Sequence, residues 1–422
     1  MSPVRPLGPW AARRGRLPGA PHYWVVAGQA TVSGTSFLTN VFIAKLCGIQ
    51  IFGAYSAWQL ILLLVLAGQG ALISQPMQVL LGSLPASRRP AYRRLLLGWQ
   101  LGFSGLAVLG TVAGARWLPQ AAVVLPAFVL LLVAATLQDT LRKLLLAGGQ
   151  VHAALLSDAV SGGGQLLVLA MLALRPAPAT LAQVMGAVGL TTVPALLLSA
   201  VALGTWPSLR GGRAFGRGHG RQVRWLLPTA LLQWASANGL LVVAGWAGSV
   251  AMLGVLRLAQ TAMGLFNLGL QAVENYALPR LSQSFNQAPP RFVAERAALA
   301  RRMLLAAAPL LAGLAGAAGP LVAWLGPAGG VGYAGLLRWC CLLYLVIVLV
   351  YPLRLTVRLR ADARHYFGGY VLSIAASLLS VRWLTAHYQA SGVVLGWLLA
   401  QLVLGLYWAL ALRFTANSPP AS

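Results

Sequence analysis

The run VAMLGVLRLAQTAMGLFNLGLQAVE, residues 250–274, decides the fold class. It is long and apolar enough to cross a bilayer, for which a helix needs about 20 residues. Its polar members, Arg257, Gln260, Thr261, Gly264, Asn267, Gln271 and Glu274, recur at steps of three and four and share one helical face. Leu256, Leu258, Ala259, Ala262, Met263, Leu265 and Phe266 make up the other. Such a helix meets lipid or packed side chains on one side and something polar on the other, because polar groups in hydrocarbon are costly.

Composition extends this reading to the whole chain. Of 422 residues, 59% are hydrophobic and 9% charged, where a soluble domain carries roughly 25% charge. Only helices and closed barrels satisfy their backbone groups in lipid. The apolar runs are long and continuous, unlike the ~10-residue alternating segments of a barrel, so helices are expected. The net charge of +26 would point to nucleic acid in a soluble protein. Here the basic residues sit mostly in short loops between apolar runs, which makes them topology signals, and no nucleic-acid partner is expected. Cys47, Cys340 and Cys341 have no metal-like spacing and are too few for a disulfide framework, so no metal or cofactor is expected. The apolar stretch after the polar N-terminus is too long for a signal-peptide core and reads as a retained first helix.

The chain predicts an all-α integral membrane protein with about twelve transmembrane helices in two six-helix bundles. Spans are expected near 23–46, 54–81, 95–114, 121–141, 153–174, 180–203, 225–246, 250–273, 303–325, 332–353, 367–386 and 391–412. The corresponding organisation is a basic N-terminal tail at 1–22, one bundle at 23–204, a basic Gly-rich linker at 205–224, a second bundle at 225–412 and a tail at 413–422. The linker, with its Arg-Gly-Gly-Arg and Gly-Arg-Gly-His-Gly-Arg runs, is expected to hold little regular structure. The halves carry a faint repeat: a shift of 201 residues places Gly53 on Gly254, Gln59 on Gln260, Leu64 on Leu265, Gly68 on Gly269 and Ala71 on Ala272. Two like-oriented six-helix repeats are a transporter architecture.

Polar residues concentrate in the first, second, seventh and eighth spans, which are equivalent places in the two halves. The first holds Gln29, Ser33, Ser36 and Asn40; the second Tyr55, Ser56, Gln59, Gln69, Ser74 and Gln75; the seventh Gln233, Ser236 and Asn238. The third, sixth, ninth, tenth and twelfth spans are far greasier. A cavity between the halves is therefore expected, lined by Arg257, Gln260, Asn267, Gln271, Gln29, Ser33, Asn40, Gln59 and Gln233. For any one Ser or Thr, hydrogen bonding to a neighbouring helix is the better explanation. Arg257 is the sharpest residue, since a guanidinium keeps its charge and matches phosphate oxygens bidentately; the alternative for it, and more so for Lys45, is snorkelling to headgroups. Asp158, Glu274 and Asp139 are the candidates for ion coupling, although Asp139 is spaced to pair locally with Arg142. With no carboxylate in spans one, two or seven, the cavity is neutral to positive and suits an anion. No nucleophile, metal cluster or phosphate loop assembles, so a transporter is expected rather than an enzyme.

These features together resemble the multidrug/oligosaccharidyl-lipid/polysaccharide (MOP) exporter superfamily, and its Wzx-like polysaccharide biosynthesis flippases in particular. Local agreement lies in Gln29-Ala-Thr-Val-Ser-Gly34, Phe52-Gly-Ala-Tyr55 and Ala277-Leu-Pro-Arg-Leu-Ser282. The lipid II flippase branch carries two helices beyond the twelve expected here, and the drug-exporting branch generally has acidic residues in its first or seventh helix, where this chain has none. The resemblance implies a MATE-like fold that rocks by alternating access. It implies a polyprenyl-diphosphate-linked oligosaccharide as the substrate, flipped across a bacterial inner membrane for surface polysaccharide. The partners implied are that lipid-linked glycan, membrane lipid, and a polysaccharide polymerase with its glycosyltransferases. A MATE-like small-molecule exporter, or a membrane enzyme or scaffold of polysaccharide assembly, are the alternatives.

The basic residues orient the chain. Of 31 Lys and Arg, 25 fall on the N-terminal tail, the even-numbered loops and the C-terminal tail, and the positive-inside rule places those in the cytoplasm. Reporter fusions at residue 215 and at the C-terminus are expected to report a cytoplasmic location; a periplasmic signal from either would overturn the twelve-span topology.

Overall fold

The structure, a computed structural model, describes residues 22–115, 121–210, 212–287, 289–325, 333–359 and 363–416. The side chains of Gln29, Gln271 and Glu274, and the tails at 1–21 and 417–422, lie outside what is described. Every regular element among the described residues is helical. In chain order these are α1 (His22–Gln69), a π-helical turn (Gly70–Ser74), α2 (Gln75–Ser83), a short turn at Ala86–Arg88, α3 (Arg89–Ala115), α4 (Ala121–Ala147), α5 (Val151–Ala173), α6 (Leu181–Leu203), α7 (Gly212–Ala247), α8 (Val250–Gln287), α9 (Pro289–Gly316), α10 (Ala318–Leu325), α11 (Ala334–Leu359) and α12 (Ala363–Ala416).

Twelve crossings follow from these. Among the described residues, nine helical runs are long and apolar enough to span a membrane, two of them 52 and 49 residues long. Each of those two is double. The first breaks at Gly48, whose φ of 80° and ψ of 167° only glycine adopts freely. Before the break, Gly28 lies against Leu155 and Asp158 near the start of α5; after it, Gly53 abuts Val250 at the start of α8, and Gln69 reaches back to Thr140 of α4. The chain has thus crossed and returned. The 49-residue run breaks at Gln389, the one described non-glycine residue with positive φ (50°), and its arms fold antiparallel: Ser377 donates to the Gly396 carbonyl and Tyr366 stacks on Trp408. The twelfth crossing is α8, whose apolar segment is Val250–Gly264.

The described loops around Arg93, Gly148 and Ser208 meet at one end of this bundle, which we call the basic end, and the breaks at Gly48 and Gln389 lie at the other. Two large apolar clusters form, one from the first half of the chain around Phe52, Tyr55, Phe128 and Leu132, the other from the second half around Leu241, Leu256, Cys340 and Trp397. Each takes side chains from across the boundary, Leu258 and Ala262 in the first and Leu60, Ile49 and Ala57 in the second.

The helices of the two halves meet most closely at Gly53 and Gly254, the pair related by the 201-residue shift. A Cβ on Gly254 would fall 2.5 Å from the Ile49 carbonyl oxygen and 3.0 Å from the Gly53 nitrogen; a Cβ on Gly53 would overlap the Val250 carbonyl. Small residues let backbones approach in this way. Beside the crossing, the Lys45 ammonium lies 4.9 Å from the Trp324 ring centroid, so Lys45 reaches an aromatic face on the other half.

Residues 212–224, expected to be irregular, are helical and open α7. Burial outweighs the glycines. Phe215 packs on Tyr92 with ring centroids 5.1 Å apart, and buried His219 meets Trp99 at 4.8 Å. His219 also engages both ring nitrogens, Nδ1 with the Tyr92 hydroxyl at 3.1 Å and Nε2 with the Leu72 carbonyl at 2.6 Å. That carbonyl belongs to the π turn, where widened helical geometry disturbs the ordinary backbone ladder and frees acceptors.

The glycine crossing yields a direct check. Gly53→Val must displace the start of α8, and overpacking of this kind costs about 1–3 kcal/mol. Gly110→Val, at a position with open space around it, serves as control. Thermal unfolding in detergent is expected to show a lower Tm for the first and an unchanged one for the second; equal Tm values would mean that the halves do not touch there.

Candidate functional site

In the N-terminal half many of the intramembrane polar groups bond one another, although Thr39 Oγ1, Gln69 Oε1, Ser74 Oγ and Gln138 Oε1 are buried without a partner. Gln69 donates to the Thr136 carbonyl at 2.8 Å and to the Thr140 hydroxyl at 2.6 Å. Thr140 donates to Gln100 at 2.8 Å, Gln100 to Ser104 at 3.0 Å, and Ser104 shares a bond of 3.0 Å with Thr136. Gln138 donates to Ser157 at 2.6 Å, and Ser157 bonds Ser199 at 2.8 Å. These bonds tie the second crossing, α3, α4, α5 and α6 together. Gln69, Gln100, Ser104, Thr136, Thr140, Ser157 and Ser199 are all buried. Groups so paired are spared the cost of an orphan polar group in lipid.

The acidic residues of this half belong to the same scheme. The expected Asp139–Arg142 pair does not form. Lys143 Nζ reaches Asp139 at 2.6 Å, and Arg142 Nε reaches Asp158 at 2.7 Å. The reason is geometric: one turn of helix puts Lys143 over Asp139, while Arg142 faces α5, where Asp158 is otherwise almost fully buried. Asp158 and Asp139, candidates for ion coupling from the sequence, are thus both engaged by cations.

The C-terminal half is built differently. There the polar groups face a cavity of about 660 Å³, lined by α7, α8, α11 and both arms of α12. Of the residues expected to line a cavity, Arg257, Gln260, Asn267, Gln233 and Asn40 do so, joined by Thr261, Ser236 and Asn238. Asn40 alone among the described lining residues comes from the N-terminal half. The expected space midway between the halves is therefore displaced into the second half, because the first has spent its polar groups on internal bonds. Gln59 does not line the cavity but abuts it, and Ser33 is half-buried in the first crossing away from it.

Arg257 sits at the junction. Its Nη1 donates to Gln260 Oε1 at 3.1 Å, and its Nη2 donates across the halves to Gln59 Oε1 at 3.2 Å. Gln59 in turn donates to the Tyr55 hydroxyl at 2.7 Å. A second inter-half bond runs from Asn40 to Thr261 at 3.3 Å. The guanidinium points into the protein, where amide oxygens and no carboxylate meet it, so snorkelling to headgroups does not explain its position. Its partners hold it in place without neutralising it.

Several lining residues were not singled out from the sequence: Tyr344, Tyr351, Arg354, Tyr370, Trp397, Gln401 and Trp408. Arg354 had been counted among the topological charges. The signal was nonetheless present, because Trp397, Gln401, Leu404 and Trp408 are spaced by four, three and four, and Cys340, Tyr344, Ile347, Tyr351 and Arg354 likewise. Each set is a single helical face. From Arg257 to Leu270 the cavity follows α8 for 13 residues, about 20 Å at 1.5 Å per residue. Arg257 lies toward the Gly48 end and Arg354, five residues before the end of α11, toward the basic end. Between them stand amides, hydroxyls and aromatic faces, with Asn267 donating to the Tyr344 hydroxyl at 2.9 Å. No acidic side chain is among the described lining residues. Such a surface can hold an anion at either end and stack a ring between.

No protein-family profile matches the chain, and no curated protein does. Solved structures do. An inward-facing MATE-family multidrug resistance transporter of the MOP superfamily matches with a TM-score of 0.71 and 11% identity, over 94% of this chain and 100% of that one. Its outward-facing counterpart matches at 0.66 with 12% identity, over 94% and 95%. The lipid II flippase MurJ, in an inward closed conformation, matches at 0.68 with 12% identity, over 93% and 88%. Over nearly its whole length, this chain has the fold of the MOP-superfamily transporters.

Proposed function

We propose that the protein is an alternating-access carrier that flips a polyprenyl-diphosphate-linked oligosaccharide from the cytoplasmic to the outer leaflet of a bacterial inner membrane, serving surface polysaccharide synthesis. The observation that carries this reading is the cavity's chemistry: two guanidiniums, amides and aromatic rings, and no carboxylate among the described lining residues. Arg354 meets the diphosphate near the cytoplasmic mouth, and Arg257 meets it deeper, about 20 Å along α8. Amides and hydroxyls such as Gln233, Asn238 and Gln260 bond the sugar hydroxyls, and the faces of Trp397 and Trp408 stack on pyranose rings. Separated cations favour transit, since a dense cluster would hold the phosphate too tightly to release it.

The contact at Gly53 and Gly254 closes the outer end in this state, and the higher TM-score to the inward-facing transporter than to its outward-facing form agrees with that. Rocking of the halves would break the Arg257–Gln59 and Asn40–Thr261 bonds together. MATE-like export of a small molecule is the second reading, favoured by the aromatic lining, which also suits lipophilic cations. The two arginines oppose a cationic cargo.

The test is glycan export in cells lacking their own flippase, normalised to folded protein in the membrane. Losing a charged hydrogen-bond partner costs about 1.5–3 kcal/mol, or about 10–100-fold. Arg257→Gln is expected to cut export at least tenfold, and Arg257→Lys less, because charge survives without the bidentate fork. Wild-type export by Arg257→Gln at equal abundance would overturn the assignment.

A further inference from the structure

A second recess, distinct from the cavity, opens on the lipid-facing side of the N-terminal half. Its volume is about 760 Å³, and α3, the π turn and the helical start of α7 form its walls. The lining is apolar: Leu72, Trp99, Leu101, Phe103, Leu106 and Leu209 line it, over a floor opened by glycines at 98, 102, 216 and 220. His219, its one ring with polar atoms besides Trp99, has both nitrogens engaged already. None of the lining residues is acidic.

Arginines adjoin the lining of the recess in sequence. Arg94 lies one turn before Gly98 on α3; Arg217 and Arg221 follow the lining residues Gly216 and Gly220 on α7; Arg210 follows Leu209. All four are exposed. The connecting segment is fastened there by Ser208, whose backbone N–H donates to the Arg94 carbonyl at 2.9 Å. From Arg94 to Leu106 the groove runs twelve residues, about 18 Å along the helix, and one leaflet of hydrocarbon is about 15 Å deep. Leu101 and Leu106, 47% and 69% exposed, leave its side open to lipid.

We propose that this groove binds one anionic phospholipid from the leaflet at the basic end, with its phosphate among Arg94, Arg210, Arg217 and Arg221 and an acyl chain along Leu101–Leu106. Depth selects the occupant. A recess one leaflet deep fits an acyl chain, whereas a polyprenyl tail is several times longer. The bound lipid clamps the first turns of α7 to α3 and so couples the connector between the halves to membrane composition.

Native mass spectrometry of the whole purified protein, exchanged into phosphatidylglycerol or phosphatidylcholine, counts retained lipids. Near a surface each arginine contributes about fivefold, so two or more together give a preference of about tenfold or more for the anionic lipid. Gly102→Trp fills the groove at an exposed position with open space around it, and Gly220→Leu does so from the facing helix. Gly110→Trp, on α3 beyond the groove, is the control. One fewer retained phosphatidylglycerol is expected in either filled variant than in the control. Arg217→Gln with Arg221→Gln is expected to retain the site but lose most of the preference. Equal lipid counts in filled and control variants would overturn the proposal, as would equal retention of the two lipids by the wild type. Displacement of phosphatidylglycerol by a polyprenyl diphosphate lipid would overturn it too, assigning the groove to the substrate's tail.

Discussion

Polar groups inside a bilayer must find partners, and the two halves of this chain meet that requirement in opposite ways. In the first half Gln69, Gln100, Ser104, Thr136 and Thr140 bond one another, and Ser157 bonds Gln138 and Ser199, so that five crossings are tied together. In the second, Gln233, Arg257, Gln260 and Asn267 face a cavity, and water or a ligand must complete their bonding. The sequence repeat is therefore weaker than the structural one, because equivalent helices answer the same constraint by different means. A bundle stiffened on one side and hollow on the other suits a rigid body against which a binding half can move.

The coupling between the halves is narrow and specific. Backbones touch at Gly53 and Gly254, Lys45 reaches Trp324, and two side-chain bonds cross the boundary, Arg257 to Gln59 and Asn40 to Thr261. All lie toward the end away from the basic loops; at the other end the start of α7 is fastened to the first half, where His219 bonds Tyr92 and the Leu72 carbonyl. Arg257 thus has two roles, since the same guanidinium that can bind an anion also bridges the halves. An arriving phosphate would compete with the Gln59 oxygen for it, which gives a substrate a direct way to bias the equilibrium between conformations.

The membrane class, the twelve crossings and the polar face of α8 were legible in the sequence because each rests on local periodicity. Lipid imposes one solution per apolar run, and Arg257, Gln260, Thr261 and Asn267 share a face whatever surrounds them. What was not legible depended on tertiary pairing. Whether Gln69 lines a cavity or bonds Thr140 is decided by a helix 71 residues away. Arg142 was matched to Asp139 by spacing alone, yet α5 supplies Asp158 in a better place. The helical start of α7 was hidden by its glycines, since only the burial of Phe215 and His219 against α3 reveals it. The aromatic stripe of the last crossing could have been read from its spacing, but rings in a greasy helix look like lipid anchors until a cavity appears beside them.

Accessibility of single cysteines in native membranes, with Cys47, Cys340 and Cys341 replaced, tests this partition most directly. A membrane-impermeant, water-soluble thiol reagent should label cysteines at Gln233, Ser236 and Asn267 when applied from the side to which the cavity opens, and should leave those at Ser104, Thr136 and Ser157 unmodified. Labelling of both sets alike, or of the N-terminal set alone, would contradict a polar cavity confined to the second half.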